Sequence, residues 1–92
     1  MVLMLRITED AATLVTALTS AEDRSGHSGL RIMIDPVHHS LSMGIARRQP
    51  DDAVISKGLA RVFLAPPAAH RLRRRTLRAE LSADRSLFFL DT

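Results

Sequence analysis

Histidine and arginine are the side chains in this sequence best placed for chemistry, and cysteine is absent. Without a thiol there is no disulfide, no Cys-ligated zinc, no thiolate-held iron–sulfur cluster and no thiol catalysis. His38 and His39 are neighbours, with His27 and His70 elsewhere. Neutral imidazole binds zinc or iron. Adjacent residues of an extended segment point opposite ways, so these two would not share one metal ion. A site would need one of them with His27, His70 or Asp35, or the same residue from a second subunit. His38 and His39 are thus the candidate metal ligands, against the plainer reading of two loop histidines in a polar break.

Arg71, Arg73, Arg74, Arg75 and Arg78 form a second constellation, with Leu72 and Leu77 as its only apolar anchors. Guanidinium groups suit bidentate recognition of carboxylate or phosphate. If a helix held through Arg75, then Arg71, Arg74, Arg75 and Arg78 would crowd onto adjacent turns, a repulsive arrangement unless an anion or acidic partner faced it. Five phosphate contacts would give a salt slope of roughly −4 to −5 on duplex DNA. A solvated basic surface is the first reading of this run, an acidic protein partner the second and nucleic acid the third. Ten acidic residues, few aromatics and no helix-turn-helix, zinc-finger or RRM signature stand against nucleic acid. Catalysis has little support: no serine stands in a nucleophile-elbow context, and no glycine-rich phosphate loop occurs. The carboxylate pairs Glu9-Asp10, Glu22-Asp23 and Asp51-Asp52 read as helix start, loop and turn. The expectation is a protein that is not an enzyme and carries no cofactor.

The elements that must position these residues are those of one domain spanning residues 1–92. Hydrophobic residues make up 46% and charged residues 25%, the mixture of a globular chain. Trp and Tyr are absent, so stacking platforms for single-stranded nucleic acid reduce to Phe63, Phe88 and Phe89. The net charge is +3 and Lys57 is the only lysine; the overall preference for arginine is explained by GC-rich coding composition. Met1 to Leu5 is apolar but is followed by Arg6 and Glu9, too short for a signal-peptide core or a membrane span. A cytoplasmic protein without membrane contact is expected.

Val2 to Ile7 alternates and predicts a strand, with Leu3, Leu5 and Ile7 on one side. Thr8 is an N-cap for a helix from about Glu9 to Ser20, whose stripe is Ala11, Leu14, Val15 and Leu18. Strands are predicted at Leu30–Asp35, at Leu41–Ala46 with a small face of Ser42, Gly44 and Ala46, and at Ala53–Ser56 and Leu59–Ala65 around a Lys57-Gly58 hairpin. Pro66 and Pro67 open a short helix reaching Arg73. Thr76–Ser82 predicts a half-exposed strand and Leu87–Leu90 a buried one. About seven short strands with two helices argue for an α+β domain, an antiparallel-rich sheet or compact β-sandwich.

The ordered set of segments resembles the A-type (HesB/IscA-like) iron–sulfur cluster carriers. Leu5-Arg-Ile-Thr-Glu-Asp-Ala-Ala12 is similar to that family's opening strand and acidic helix start. Gly29-Leu-Arg-Ile32 resembles its second strand. Asp52-Ala-Val54 and Ala60-Arg-Val-Phe-Leu64, followed by Pro66, resemble its middle hairpin and the turn before its second helix. Leu72, Leu77 and Leu87-Phe-Phe89 fit the last strands. The resemblance runs from about Leu5 to Leu90 and implies a HesB-like compact β-sandwich with an N-terminal helix and a short second helix.

Where the family carries a cysteine after the second strand, this chain has Pro36-Val-His-His-Ser40, and it stops at Thr92, where the family's Cys-Gly-Cys tail would begin. A basic Arg73-Arg74 and Leu77-Arg78 replaces an acidic or neutral turn. A cysteine-less homologue is implied, a non-cluster-binding protein-interaction or accessory module. Its partners would be an acidic protein or an iron–sulfur assembly component, and the family's habit of self-association implies a homodimer. The alternative is a basic nucleic-acid-binding domain using the Arg71–Arg78 surface.

Overall fold

The computed structural model describes residues 4–23 and 25–91. The first half of the predicted opening strand, Val2 and Leu3, lies outside the described residues. Strand β1 is short, Arg6–Ile7, and feeds helix α1, Glu9–Glu22. The Thr8 hydroxyl accepts from the Ala11 amide at 3.2 Å, satisfying one of the donors every helix start leaves open. Glu9 and Asp10 put negative charge in the first turn, where the helix dipole favours it. The helix runs two residues past Ser20 because Ala21 and Glu22 are good helix formers and the first breaker is Gly26. Thr16 and Thr19 stay helical by donating to Ala12 O and Val15 O, each at 2.9 Å. Ala11, Ala12, Leu14 and Val15 are buried, whereas Leu18, the last residue of the expected stripe, is 37% exposed.

Strands β2 (Ser28–Ile34), β3 (Leu41–Arg47), β4 (Ala53–Lys57) and β5 (Ala60–Leu64) follow, then helix α2 (Pro66–Arg71), β6 (Thr76–Glu80) and β7 (Leu87–Asp91). They form a four-stranded sheet in the order β3-β2-β5-β4 and a three-stranded sheet in the order β1-β6-β7. Two of the pairings are parallel, β1 with β6 and β2 with β5; the other three are antiparallel. Alternation alone could not foresee this mixture, because it fixes faces and not partners.

One core joins both sheets and both helices. Leu30, Ile32, Val62 and Leu64 come from the larger sheet, Ile7 and Leu77 from the smaller, Val15 from α1, and Ala68 and Leu72 from α2. The four leucines and isoleucines buried most deeply (Ile32, Leu64, Leu72 and Leu77) are each at most 1% exposed. Each fully buried aliphatic side chain of this kind contributes about 1.5–3 kcal/mol over leaving it in water.

The β4–β5 hairpin turns through Gly58 and Leu59, with Lys57 paired to Ala60, one residue later than Lys57-Gly58. Gly58 has φ 60°, which a primed two-residue turn demands at its first loop position. The shift puts Leu59 at the tip, 86% exposed, and draws Lys57 Nζ to 3.4 Å from Glu9 Oε1 at the start of α1. Gly29 is required by packing: a Cβ there would lie 2.6 Å from the Arg61 carbonyl oxygen and 2.9 Å from the Phe63 ring.

One expected boundary and one expected burial change for stated reasons. Helix α2 stops at Arg71, not Arg73, since Arg74 adopts a left-handed φ of 65° and ends any helix there. Strand β7 is half-exposed, not buried: Phe88 and Leu90 turn inward, while Leu87 and Phe89 face outward from an edge strand.

Candidate interaction site

The predicted site residues gather at one end of the molecule, where the β2–β3 turn, the end of α2, the start of β6 and the end of β7 meet. The turn is built by Asp35. Its Oδ1 accepts from the Val37 and His38 amides at 2.8 and 3.2 Å, and its carbonyl accepts from the His39 amide at 2.8 Å. The Val37 amide above all, and then the His38 side chain, hold the Asp35 carboxyl below the usual carboxylate range. His39 takes φ 56°, a left-handed conformation that histidine tolerates better than branched residues.

This turn separates the two adjacent histidines. His38 Nδ1 lies 3.1 Å from Asp35 Oδ2, on the surface. His39 instead offers its carbonyl, which accepts from Arg71 Nη1 at 3.1 Å. His70 is occupied by Arg73, whose Nη2 lies 3.0 Å from its Nδ1. His27 precedes β2 at the other end of the sheet, where Ser28 pairs with Arg47. Among the described residues no three His, Asp or Glu side chains converge as a metal site requires.

The arginines fan out from a chain reversal. Leu72 and Leu77, 1% and 0% exposed, anchor either side of it, and the Arg75 amide donates to Leu72 O at 3.1 Å to close the turn. Because α2 ends early, the guanidiniums do not stack on successive turns. Arg71 reaches the β2–β3 turn, and Arg73 folds back on His70. Arg75 Nε donates to Asp91 O at 3.1 Å, and Arg78 Nη1 to Asp91 Oδ2 at 2.8 Å. That contact with Asp91 raises the Arg78 pKa above its ordinary value. Among the described residues Arg71, Arg73, Arg74 and Arg75 have no carboxylate within ion-pair distance.

Arg47 and Arg48 do not join this surface. Arg47 closes β3, whose first residue Leu41 pairs with Ile34 beside the turn; the six intervening steps span about 20 Å. Arg48 donates to Asp52 O at 3.4 and 3.3 Å.

One pair escaped sequence reasoning. Arg31 of β2 donates from Nε to Asp52 Oδ2 at 2.7 Å and from Nη2 to Asp52 Oδ1 at 2.9 Å. Asp52 is 3% exposed and also accepts from the Gln49 amide at 2.9 Å. Hydrogen bonding by Arg31 is the largest cause of the lowered Asp52 pKa, and Asp52 in turn raises that of Arg31. The partners are 21 residues apart, so no local spacing signals them. They do lie in two of the segments that carry the family resemblance, Gly29–Ile32 and Asp52–Val54.

The fold is that of the A-type iron–sulfur carriers. Escherichia coli SufA, described as involved in biosynthesis of iron–sulfur clusters, is similar over 94% of this chain and 82% of its own, with a TM-score of 0.75 and 15% identity. IscA, solved with its [2Fe-2S] cluster, is similar over 95% of this chain and 83% of its own, with a TM-score of 0.70 and 21% identity. A protein from Aquifex aeolicus, solved in solution by NMR, is similar over 98% of this chain and 92% of its own, at a TM-score of 0.73 and 16% identity. At identities this low, the structural agreement establishes the fold alone. No family model matches the sequence, and no curated protein matches it.

A cluster of the kind seen in that IscA structure does not fit the donors here. The chain has no cysteine, and the β2–β3 turn offers one imidazole beside one carboxylate. Bridging-sulfide clusters call for soft thiolate ligands; one imidazole beside one hard carboxylate oxygen supplies none.

Proposed function

We propose that this chain is a cluster-free counterpart of the A-type carriers, a non-catalytic protein-interaction or accessory module. The observation that carries the reading is a carrier fold spanning nearly the whole chain in a sequence without a single thiol. Anaerobic incubation with ferrous iron, sulfide and reductant, followed by desalting, tests it. The expected product is colourless, without stoichiometric iron or acid-labile sulfide; a brown protein holding both overturns the reading.

The Arg71, Arg73, Arg74, Arg75 and Arg78 surface is the proposed contact for an acidic protein partner. Because SufA takes part in iron–sulfur biosynthesis, a component of such assembly is the first partner to try. A homodimer through Ser42, Gly44 and Ala46 belongs to the same reading, since these small residues line a shallow depression on the uncovered side of β3 with Arg31 and Met33. Light scattering that gives a monomer mass at high concentration removes the dimer. A cytoplasmic setting fits a chain that has no use for disulfides. No described helix is long and apolar enough to cross a membrane.

Nucleic acid is the second reading, favoured by the guanidiniums that lack carboxylate partners. Against it, Arg47 and Arg48 lie at the far end of β3, so the basic surface is confined. Absence of retention on heparin near physiological salt would dispose of it, because several phosphate contacts would produce strong, salt-sensitive binding.

A further inference from the structure

The smaller sheet ends on an edge that no other described element pairs with. β7 bonds to β6 on one side only. Its sequence, Leu87-Phe-Phe-Leu-Asp91, contains no proline and no lysine, the residues that commonly blunt such edges. Its outward face is apolar over Leu87, 42% exposed, and Phe89, 44% exposed, and ends on Asp91. Across β6 and β7, next to that edge strand's outward face, lies an open groove of about 760 Å³ whose walls include Asp10, Arg78, Glu80, Leu81, Phe89 and Asp91. Leu81 adds a further exposed side chain to the same groove.

Charge along this edge is unequal. At the Asp91 end stands Arg75, with Arg73 and Arg74 just beyond in the chain reversal, and Arg78, opposite Phe89 in the ladder, leans its guanidinium to the Asp91 carboxylate. Asp91 supplies the one carboxylate bonded to this group among the described residues. Arg75 and Arg78 each keep guanidinium N–H groups without a partner there. At the Leu87 end the residue across the ladder is Glu80. A ligand lying along β7 therefore meets positive potential at one end and negative at the other.

We propose that β7 receives an extended segment of a partner protein as a fourth strand of the sheet. The segment's apolar side chains rest on Leu87 and Phe89. Its carboxylates fall at the end facing Arg75 and Arg78, and neutral or basic residues lie toward Glu80. Main-chain bonding to the free edge supplies affinity, and side-chain pockets with the charge gradient supply register and direction. This inference rests on the interaction-module reading and names how the partner is held. Nucleic acid fits the same edge poorly, since it has no backbone amides and carbonyls with which to continue the β ladder.

The test uses the full chain and a fluorescently labelled synthetic peptide. One half alternates valine with glutamate and the other half valine with threonine; anisotropy reports binding. Binding is expected, and it should weaken by about tenfold or more, which is about 1.4 kcal/mol, under each of three changes. These are glutamate to lysine in the peptide, N-methylation of its alternate amides, and the double variant Leu87→Lys with Phe89→Lys. Both substituted residues are exposed, and circular dichroism with a melting curve confirms that the variant folds. The two peptide changes leave the protein untouched, so they decide the matter even if the variant does not fold. No binding at millimolar peptide overturns the proposal, as does an N-methylated or lysine peptide that binds equally well. Displacement of the peptide by a single-stranded oligonucleotide at lower concentration than unlabelled peptide also overturns it. None of these results depends on iron or sulfide uptake, so failure here is distinct from failure of the cluster-free reading.

Discussion

Replacing Asp52 by asparagine strips one charge from the buried Arg31–Asp52 pair while keeping the side chain's size. The amide oxygen, at the Oδ2 position, can still accept from the Gln49 amide, now at 2.9 Å, and from Arg31 Nε. Its NH2 then faces Arg31 Nη2, a donor, so the loss combines the charge with one of the two Arg31 hydrogen bonds. Removing one partner of a buried pair costs about 3–5 kcal/mol, because the survivor is left charged without compensation. Arg31 keeps 17% of its side chain in solvent, which places the expected cost near the low end, about 3 kcal/mol. For a domain of this size each kcal/mol lowers Tm by about 4–8 °C, so a drop of about 12–24 °C is expected. Urea denaturation followed by circular dichroism measures the same loss directly. Changing both partners together, Arg31→Met with Asp52→Leu, should return most of that stability, since apolar isosteres often match a buried pair. The reasoning fails if Asp52→Asn costs less than about 1 kcal/mol, the value of an ordinary exposed pair.

Other outcomes can be measured alongside. The folded-state pKa of Asp52 is lowered, so its contribution is complete above the unfolded carboxylate value of about 3.9 and disappears as pH falls through the folded value. Asp23 and Asp35 are lowered too and act in the same direction; urea midpoints between neutral and acid pH should fall, and less steeply in Asp52→Asn than in the parent chain. Gly29→Ala must displace the Arg61 backbone or the Phe63 ring and should cost about 1–3 kcal/mol, whereas Gly44→Ala, with open space around it, should leave the melting temperature of the monomer nearly unchanged. Thr8→Ala removes the α1 cap and should cost about 1 kcal/mol. Leu72→Ala, at a site 1% exposed, should cost about 2–5 kcal/mol; both are read from denaturant midpoints.

What the sequence disclosed and what it hid follow from the range over which each signal acts. The α1 cap at Thr8, the diproline start of α2 and the alternation of Leu30, Ile32 and Ile34 depend on neighbours within a few residues, and the structure has each of them. Resemblance carried the architecture further than periodicity could, because the order of segments encodes the two-sheet arrangement. Strand partners were not legible: nothing in Leu30–Ile32 says that it lies parallel to Val62–Leu64. The end of α2 depended on one dihedral angle at Arg74, and that angle decides whether the arginines stack or spread. Of the candidate site, the residues were readable but their separation was not, since His38 turning to Asp35 and His39 presenting its carbonyl to Arg71 are products of the turn. The Arg31–Asp52 pair, joining β2 to the turn before β4, left no local trace.

Lys57, which reaches Glu9 from the foot of the β4–β5 hairpin, is also a chemical handle. Since the chain holds one lysine, amine-directed chemistry can attach at a single side chain, the foot of the β4–β5 hairpin, besides the amino terminus. A dye, biotin or cross-linker coupled there would hold the protein by a known point while leaving the arginine surface unmodified.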